Sequence, residues 1–373
     1  MYIHERVDWP RFRWRSEAVA DALADVRHRQ GRLLGRMETL GFDLRREAVL
    51  GTLVEDVVKS SDIEGEKLDA VEVRSSIARR LGMDAGGVAP ADRDVEGVVE
   101  MMLDATGRYD QPLTAARLCD WHASLFPTGR SGMRRIAVGR WRGEGADPMQ
   151  VVSGPIGRER VHFEAPPAAR VDAEMRAFLD WFEAPAEADP VLRAGLAHLR
   201  FVTVHPFEDG NGRIARAVAD MALTRSERSS QRFYSMSSQI RAERAAYYDV
   251  LERTQRGTTD VTGWITWFLA CLGRSIDAAG TALAAVLAKA RFWERAAGLA
   301  LSDRQRRVLN RLLDGFEGKL TTSKWAKLAK CSQDTALRDI SFLVDHGLLR
   351  RNPGGGRSTS YELAAPDAQE SAP

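Results

Sequence analysis

Within the twelve residues His205-Pro206-Phe207-Glu208-Asp209-Gly210-Asn211-Gly212-Arg213-Ile214-Ala215-Arg216 stand a proton acceptor, two carboxylates, two glycines and two guanidinium groups. Pro206 disfavours a helical His205, so a helix arriving from Leu192 ends near Val204. The next helix is expected to start no earlier than Gly212. Two glycines flanking Asn211 permit positive φ, which lets successive N–H groups point into one concavity at a helix N-terminus, an anion-binding nest backed by the helix dipole. Arg213 and Arg216, three apart on that helix, add two guanidinium groups suited to a polyphosphate. Asp209 in the same loop is the expected ligand of Mg²⁺, which takes its other ligands from water and phosphate oxygens. His205 sits at the loop's mouth, where it can deprotonate an attacking hydroxyl near neutral pH. Phe207 reads as an apolar anchor. Taken one at a time, these residues are a loop histidine, a turn and a solvated helix face. Their convergence in one short run points to phosphate chemistry with a base and a metal ion, without distinguishing one phosphate transfer from another.

The elements that must position this run are mostly helical. Leu50, Leu53, Val54, Val57 and Val58 recur with helical spacing, as do Ile214, Ala217, Val218, Met221 and Ala222, and Leu192, Leu196 and Leu199 form a stripe leading into the motif. Glycines and prolines break the pattern from Gly129 to Pro167. There Met149–Ser153 and Arg160–Glu164 read as two strands joined through Gly154-Pro155-Ile156-Gly157, a β-hairpin. The expected fold is mainly α. A loop at Gly82–Pro90 and a pattern change near Ala300 divide the chain into 1–90, a helical block, 91–295, the core, and 301–363, with a disordered tail over 364–373.

Composition narrows the class. Hydrophobic residues make up 44% and charged residues 28%, and the formal net charge is +2, the balance of a soluble globular protein rather than a polycation. Cys119, Cys271 and Cys331 lie far apart, which suits a reducing cytoplasm and argues against a disulfide framework or zinc site. The N-terminus has no apolar leader stretch. The uncharged run Val261–Gly273 is shorter than the roughly 20 residues of a membrane span, so a buried helix and no membrane partner are expected.

The run from His205 to Arg216 resembles the Fic family pattern His-Pro-Phe-x-Asp/Glu-Gly-Asn-Gly-Arg-x-x-Arg at every fixed position. The resemblance implies a helical core with the motif between two helices, and transfer of AMP from ATP to a serine, threonine or tyrosine hydroxyl of a protein. It implies that His205 is the general base, that Asp209 holds Mg²⁺, and that Gly210, Asn211 and Gly212 cradle phosphates. Arg213 and Arg216 would neutralise them, with Ile214 among the nucleotide-contacting positions. The hairpin carrying Val151, Val152, Val161, His162 and Phe163 resembles the family's flap, whose edge could hold a target segment as an added strand. Tyr247, Tyr248 and Gln255 resemble the helix on the nucleotide side.

Upstream, Ser60-Ser61-Asp62-Ile63-Glu64-Gly65 fits the family's inhibitory motif Ser/Thr-x-x-x-Glu-Gly/Asn. Glu64 would then pair with Arg216 and occupy the place of the ATP γ-phosphate. Read alone, Ser61 to Glu64 is a capping box with Ser61 at a helix N-terminus. Relatives often dimerise, so a homodimer is expected, and in some relatives the same glutamate supports removal of AMP.

Residues 301–363 read as three helices and two short strands around a glycine-rich tip, resembling a winged helix-turn-helix. With 12 Lys and Arg against 7 Asp and Glu, this segment is basic, which favours DNA as a partner. The rival functions are therefore a nucleotide-sensing, DNA-binding regulator, or transfer of UMP, phosphate or phosphocholine on the same fold. The target protein is not legible.

Overall fold

The computed structural model describes residues 1–373 apart from 84–90, 144–147, 155–157, 159, 186–187, 314–315, 317, 354–358 and 365–373. The hairpin turn, most of the loop at Gly82–Pro90, the glycine-rich tip and most of the tail thus lie outside the described residues. The helices, in chain order, are α1 (Ser16–Glu38), α2 (Phe42–Ile63), α3 (Ala70–Arg80), α4 (Arg93–Gly107), α5 (Ala115–Leu125), α6 (Ala168–Glu183), α7 (Pro190–Val204), α8 (Asn211–Glu227), α9 (Met236–Ala242), α10 (Arg244–Gln255), α11 (Thr262–Ala296), α12 (Asp303–Leu313), α13 (Thr322–Ala329) and α14 (Gln333–Asp345). Three antiparallel two-stranded hairpins complete the described structure: β1 (Arg130–Ser131) with β2 (Arg134–Arg135), β3 (Gln150–Ser153) with β4 (Arg160–Glu164), and β5 (Leu349–Arg351) with β6 (Tyr361–Leu363). The mainly helical fold is as the periodicity predicts.

The centre is the pair α7 and α8. Asp189 caps α7 by accepting the Val191 N–H at 2.8 Å, and Pro190 occupies the first turn, where its missing N–H costs nothing. Both helices are buried nearly all round: Leu192, Leu196, Leu199 and Phe201 on α7, and Ile214, Ala217, Val218 and Met221 on α8, are core residues. Such all-round burial belongs to the middle of a helical domain. The start of α11 closes the core with Trp264, Ile265, Phe268 and Leu269, and the Trp264 indole donates to the Gly195 carbonyl at 2.8 Å. Gly195 leaves room for this, since a Cβ there would lie 3.0 Å from the Phe268 ring.

Contacts divide the chain into two units, Met1–Ala279 and Gly280–Pro373, so the N-terminal helical block belongs to the same unit as the central pair. The division falls inside α11, which by length and composition is long and apolar enough to cross a membrane. The uncharged run Val261–Gly273 ends at Arg274, whereas the helix runs on past it. In the second unit, Trp325, Leu309, Ile340, Leu343 and Leu349 form a separate core. Asp339, buried there, is held by both Arg304 nitrogens at 2.8 Å and by the Trp325 indole at 3.2 Å.

α2 departs from expectation. Leu50, Leu53 and Val57 are buried, but so are the polar Asp56, Ser60 and Ser61, while Val54 and Val58 are only half-buried. The buried face includes polar groups because partners wait for them: Asp56 accepts from Ser235 Oγ at 2.5 Å, and Ser60 faces Arg216. Ser61 lies in the last turn of α2, so it caps no helix start and the capping-box alternative is excluded.

Candidate active site

His205 is the first residue past α7 and adopts a left-handed conformation, φ 52° and ψ 58°. A non-glycine residue there needs support from its surroundings. Arg142 supplies it, its Nε donating to the His205 carbonyl and its backbone N–H to the Pro206 carbonyl, both at 2.8 Å. The Asn211 side chain closes the loop from within, accepting the Phe207 N–H at 2.9 Å and donating to the Phe207 carbonyl at 2.8 Å. Phe207 is fully buried and stacks on His122 with centroids 4.1 Å apart, the anchor expected of it.

The imidazole is prepared as a base. Its Nδ1 lies 3.2 Å from the Val202 carbonyl, which can only accept, so the proton sits on Nδ1 and Nε2 carries a free lone pair. Burial pushes the pKa down to about 4, partly offset by the Val202 carbonyl, which keeps the ring neutral at pH 7.

After Asp209 the chain turns at Gly210, φ 76°, and α8 begins at Asn211, one residue earlier than expected. A single left-handed residue completes the turn, and Gly212 is helical. The first N–H groups of α8 have no partner within the helix, which leaves them for an anion. Asp209 accepts hydrogen bonds from Ser131 Oγ and, at 2.5 Å, from the Gly210 N–H, which aims its carboxylate across the loop.

Ile214 and the Asn211 N–H are among the expected nucleotide contacts. Ile214 is fully buried and its N–H is spent on the Gly210 carbonyl at 3.0 Å, so it is a core residue. The Asn211 side chain is consumed inside the loop, which leaves only its N–H for a ligand. Motif position does not reveal which way a side chain points.

Both motif arginines of α8, Arg213 and Arg216, are already engaged. Arg216, 2% exposed, pairs with Glu64 Oε1 at 2.8 Å and donates to Ser60 Oγ at 2.9 Å and to the Ser60 carbonyl at 2.8 Å. Arg213 pairs with Glu66 at 2.5 Å and lies over the Phe126 ring. Arg216 Nη1 and Arg213 Nε remain buried with no hydrogen-bond partner among the described residues, donors suited to an incoming anion. Gly65, φ 88°, ends α2 in a left-handed turn in which the Gly65 N–H reaches the Asp62 carbonyl at 3.1 Å and the Glu66 N–H reaches the Ser61 carbonyl at 3.0 Å. That turn aims Glu64 and Glu66 at the two arginines. Gly212 makes the approach possible: a Cβ on it would lie 2.2 Å from Glu64 Oε1.

Beside this pairing lies a cavity of about 700 Å³, whose described lining includes Glu64 and Gly212 but not Arg213, Arg216 or Asp209. Glu64, His205, Gly212, Tyr247, Tyr248 and Gln255 line it, as do Val151, Val152, His162 and Phe163 of the hairpin. Tyr247 is buried, with its hydroxyl 2.9 Å from His198 Nε2, and Gln255 donates to Thr203 Oγ1 at 3.2 Å, so Tyr248 is the more open of the pair. Val161 is not on the cavity wall; its carbonyl accepts from Arg256 at 2.7 Å. Arg256 also binds the His162 carbonyl, and Glu252 meets the His162 ring at 2.6 Å, so β4 is pinned to α10 while β3 keeps its outer edge. Glu66, Arg142, Ser131 and Glu252 were not anticipated. Only the Glu-Gly-Glu run hinted that two arginines had two carboxylates waiting.

Residues 112–223 match the family model described as Fic/DOC family, and residues 2–83 match one described as Domain of unknown function (DUF4172). The chain is 34% identical over 116 residues to protein adenylyltransferase Fic of Nematostella vectensis, which is 30% of this chain and 25% of that protein. It is 29% identical over 169 residues to protein adenylyltransferase fic-1 of Caenorhabditis elegans, 44% of this chain and 30% of that protein. The matches therefore span about a quarter to a third of these relatives. A Fic family protein from Desulfovibrio desulfuricans shares the fold with a TM-score of 0.53 and 21% identity, covering 93% of this chain and 95% of its own. A Fic domain containing signaling protein from Bacteroides thetaiotaomicron does so with a TM-score of 0.51 and 19% identity, covering 68% and 95%. Motif, helical pair and family match coincide on the same residues: the chain carries a Fic/DOC family domain at its centre.

Proposed function

We propose that this chain is a protein adenylyltransferase held in a restrained state by its own Glu64. The carrying observation is that Glu64, which lines the same cavity as His205, holds the buried Arg216 in an ion pair. In the reaction, His205 Nε2 accepts the proton of a serine, threonine or tyrosine hydroxyl on the target protein. The oxygen attacks the α-phosphorus of ATP, the bond to the β-phosphate oxygen breaks, and pyrophosphate leaves. Arg213, Arg216 and the free N–H groups at the start of α8 neutralise the phosphates. The lone carboxylate of Asp209, beside these donors, fits Mg²⁺ brought in with the nucleotide, which would supply charge neutralisation on the phosphate oxygens. The free edge of β3 supports docking of an extended target segment.

Glu64 opposes this by holding Arg216 and lying against Gly212, where it would repel the terminal phosphate. The test is incorporation of labelled ATP in a lysate by wild type, Glu64→Gly and His205→Ala, read by mass spectrometry. Strong labelling by Glu64→Gly, weak labelling by wild type and none by His205→Ala is the expected result. Equal labelling by wild type and Glu64→Gly would remove the restraint from the proposal. For the second unit, the basic balance of 301–363 supports contact with DNA, and the inward-turned Asp339 takes one acidic group off the exposed face of α14. A band shift that weakens with salt tests that reading.

A further inference from the structure

Away from His205, a second cavity of about 640 Å³ opens between the N-terminal segment, the end of α6 and one side of α7. Its walls include Phe12, Trp14 and Trp181, together with Arg11, Arg193 and Arg200. No aspartate or glutamate is among its described lining residues.

Arg200 is the unusual member. It is 4% exposed, its Nε has no partner, and among the described residues no hydrogen bond or ion pair reaches its guanidinium. Instead the group lies over two rings, 5.4 Å from Trp181 and 5.8 Å from Phe178. Glu174, the carboxylate that acts on it through space, is itself bonded to Arg170 and to the Trp9 indole. Burial pulls the Arg200 pKa down to about 10, which still leaves it charged at pH 7. A buried cation with no bonded anion among the described residues is an incomplete arrangement, because desolvation is opposed only by ring contacts and the through-space pull of Glu174. Arg193 does not share the condition, since it donates to the Trp181 and Ala184 carbonyls. Arg11 stands exposed at the rim.

We propose that this cavity binds a small molecule made of a planar ring and one anionic group, carboxylate or phosphate, with the anion on Arg200 and the ring against the tryptophans. A guanidinium fork presents paired donors that match either anion, and the aromatic walls favour a flat apolar body. The volume is that of a site for a nucleotide-sized or smaller ligand.

Calorimetric titration of the full chain with indole-3-acetate and with AMP tests this and separates the carboxylate from the phosphate source. Indole-3-acetamide, which lacks the charge, is the control. Saturable binding of at least one anion is expected, with little or none of the amide. Arg200→Gln should weaken it roughly tenfold or more, as for loss of a charge-assisted hydrogen bond, whereas Arg213→Ala should leave it intact. Arg11→Glu, at the exposed rim, should also weaken binding, and it decides the matter if Arg200→Gln does not fold. Absence of saturable binding by both anions up to about 5 mM overturns the proposal. So does binding that survives both cavity variants, or that is lost in Arg213→Ala and kept in Arg200→Gln, which would place the ligand in the central cavity.

Discussion

His205 combines a backbone conformation that needs external support with a side chain whose proton is fixed on Nδ1. Its replacement by alanine should lower AMP transfer by about 10²–10⁴-fold, the range for loss of a general base, in a single-turnover assay with labelled ATP. Because burial holds its pKa near 4, the acidic limb of the rate profile should fall closer to pH 4 than to the ordinary 6.5. Labelling by Glu64→Gly measured from pH 4 to pH 8 checks this, and a limb centred at 6.5 would count against a pre-set neutral base. The two carboxylates should differ in weight. Glu64 pairs with an arginine that is also fixed by Ser60, so Glu64→Gly should raise basal labelling roughly tenfold or more, within the usual range of coupling between sites. Glu66 is half exposed, and its pair with Arg213 is open to solvent screening, so Glu66→Ala should raise labelling by less than about fivefold.

α2 acts as an arm that delivers both carboxylates through one turn. It is pinned by Asp56 on Ser235 and by Asp62 on Arg241 at 2.7 Å, and it ends at the left-handed Gly65. Gly65→Ala meets no neighbour within 4 Å but must adopt φ 88°, so it should cost about 1–2 kcal/mol and raise basal labelling by loosening both pairs at once. Urea denaturation and the labelling assay read the two effects separately. The helices that carry the site were legible because apolar residues recur with their period, and the loop because Pro206 bars a helical His205 and Gly210 admits a positive φ. The pairing of Glu64 with Arg216 was legible only through a family motif. The pairing of Glu66 with Arg213 spans 147 positions, and no local pattern encodes a contact of that separation. For the same reason Arg142 went unseen, since its role depends on carbonyls some 60 residues away. That Ile214 faces the core follows from the apolar spacing it shares with Ala217 and Val218 and not from its place in the motif.

In the first unit His205 and His122, with pKa near 4, and His198, near 3, are held as neutral rings, and His4 is lowered in the same direction, all chiefly by burial. In the unfolded chain each titrates near 6.5, so between these values the unfolded state binds more protons than the folded one. The stability contributed by these rings is therefore full above about pH 6.5 and should be lost as the pH falls toward 4, while buried Asp56, its carboxyl raised to about 7, acts in the opposite sense. Urea midpoints across that interval would show it, and His198→Gln should flatten the slope. Tethering has a further consequence for Glu64. Carried by the same chain as Arg216, it meets that arginine at an effective concentration set by α2 and the Gly65 turn alone, so dilution of the protein leaves the contact unchanged. An inhibitor delivered by a separate molecule would dissociate at low abundance. Under the proposed restraint the basal rate per molecule should stay level across a dilution series, with release coming from something that moves the arm.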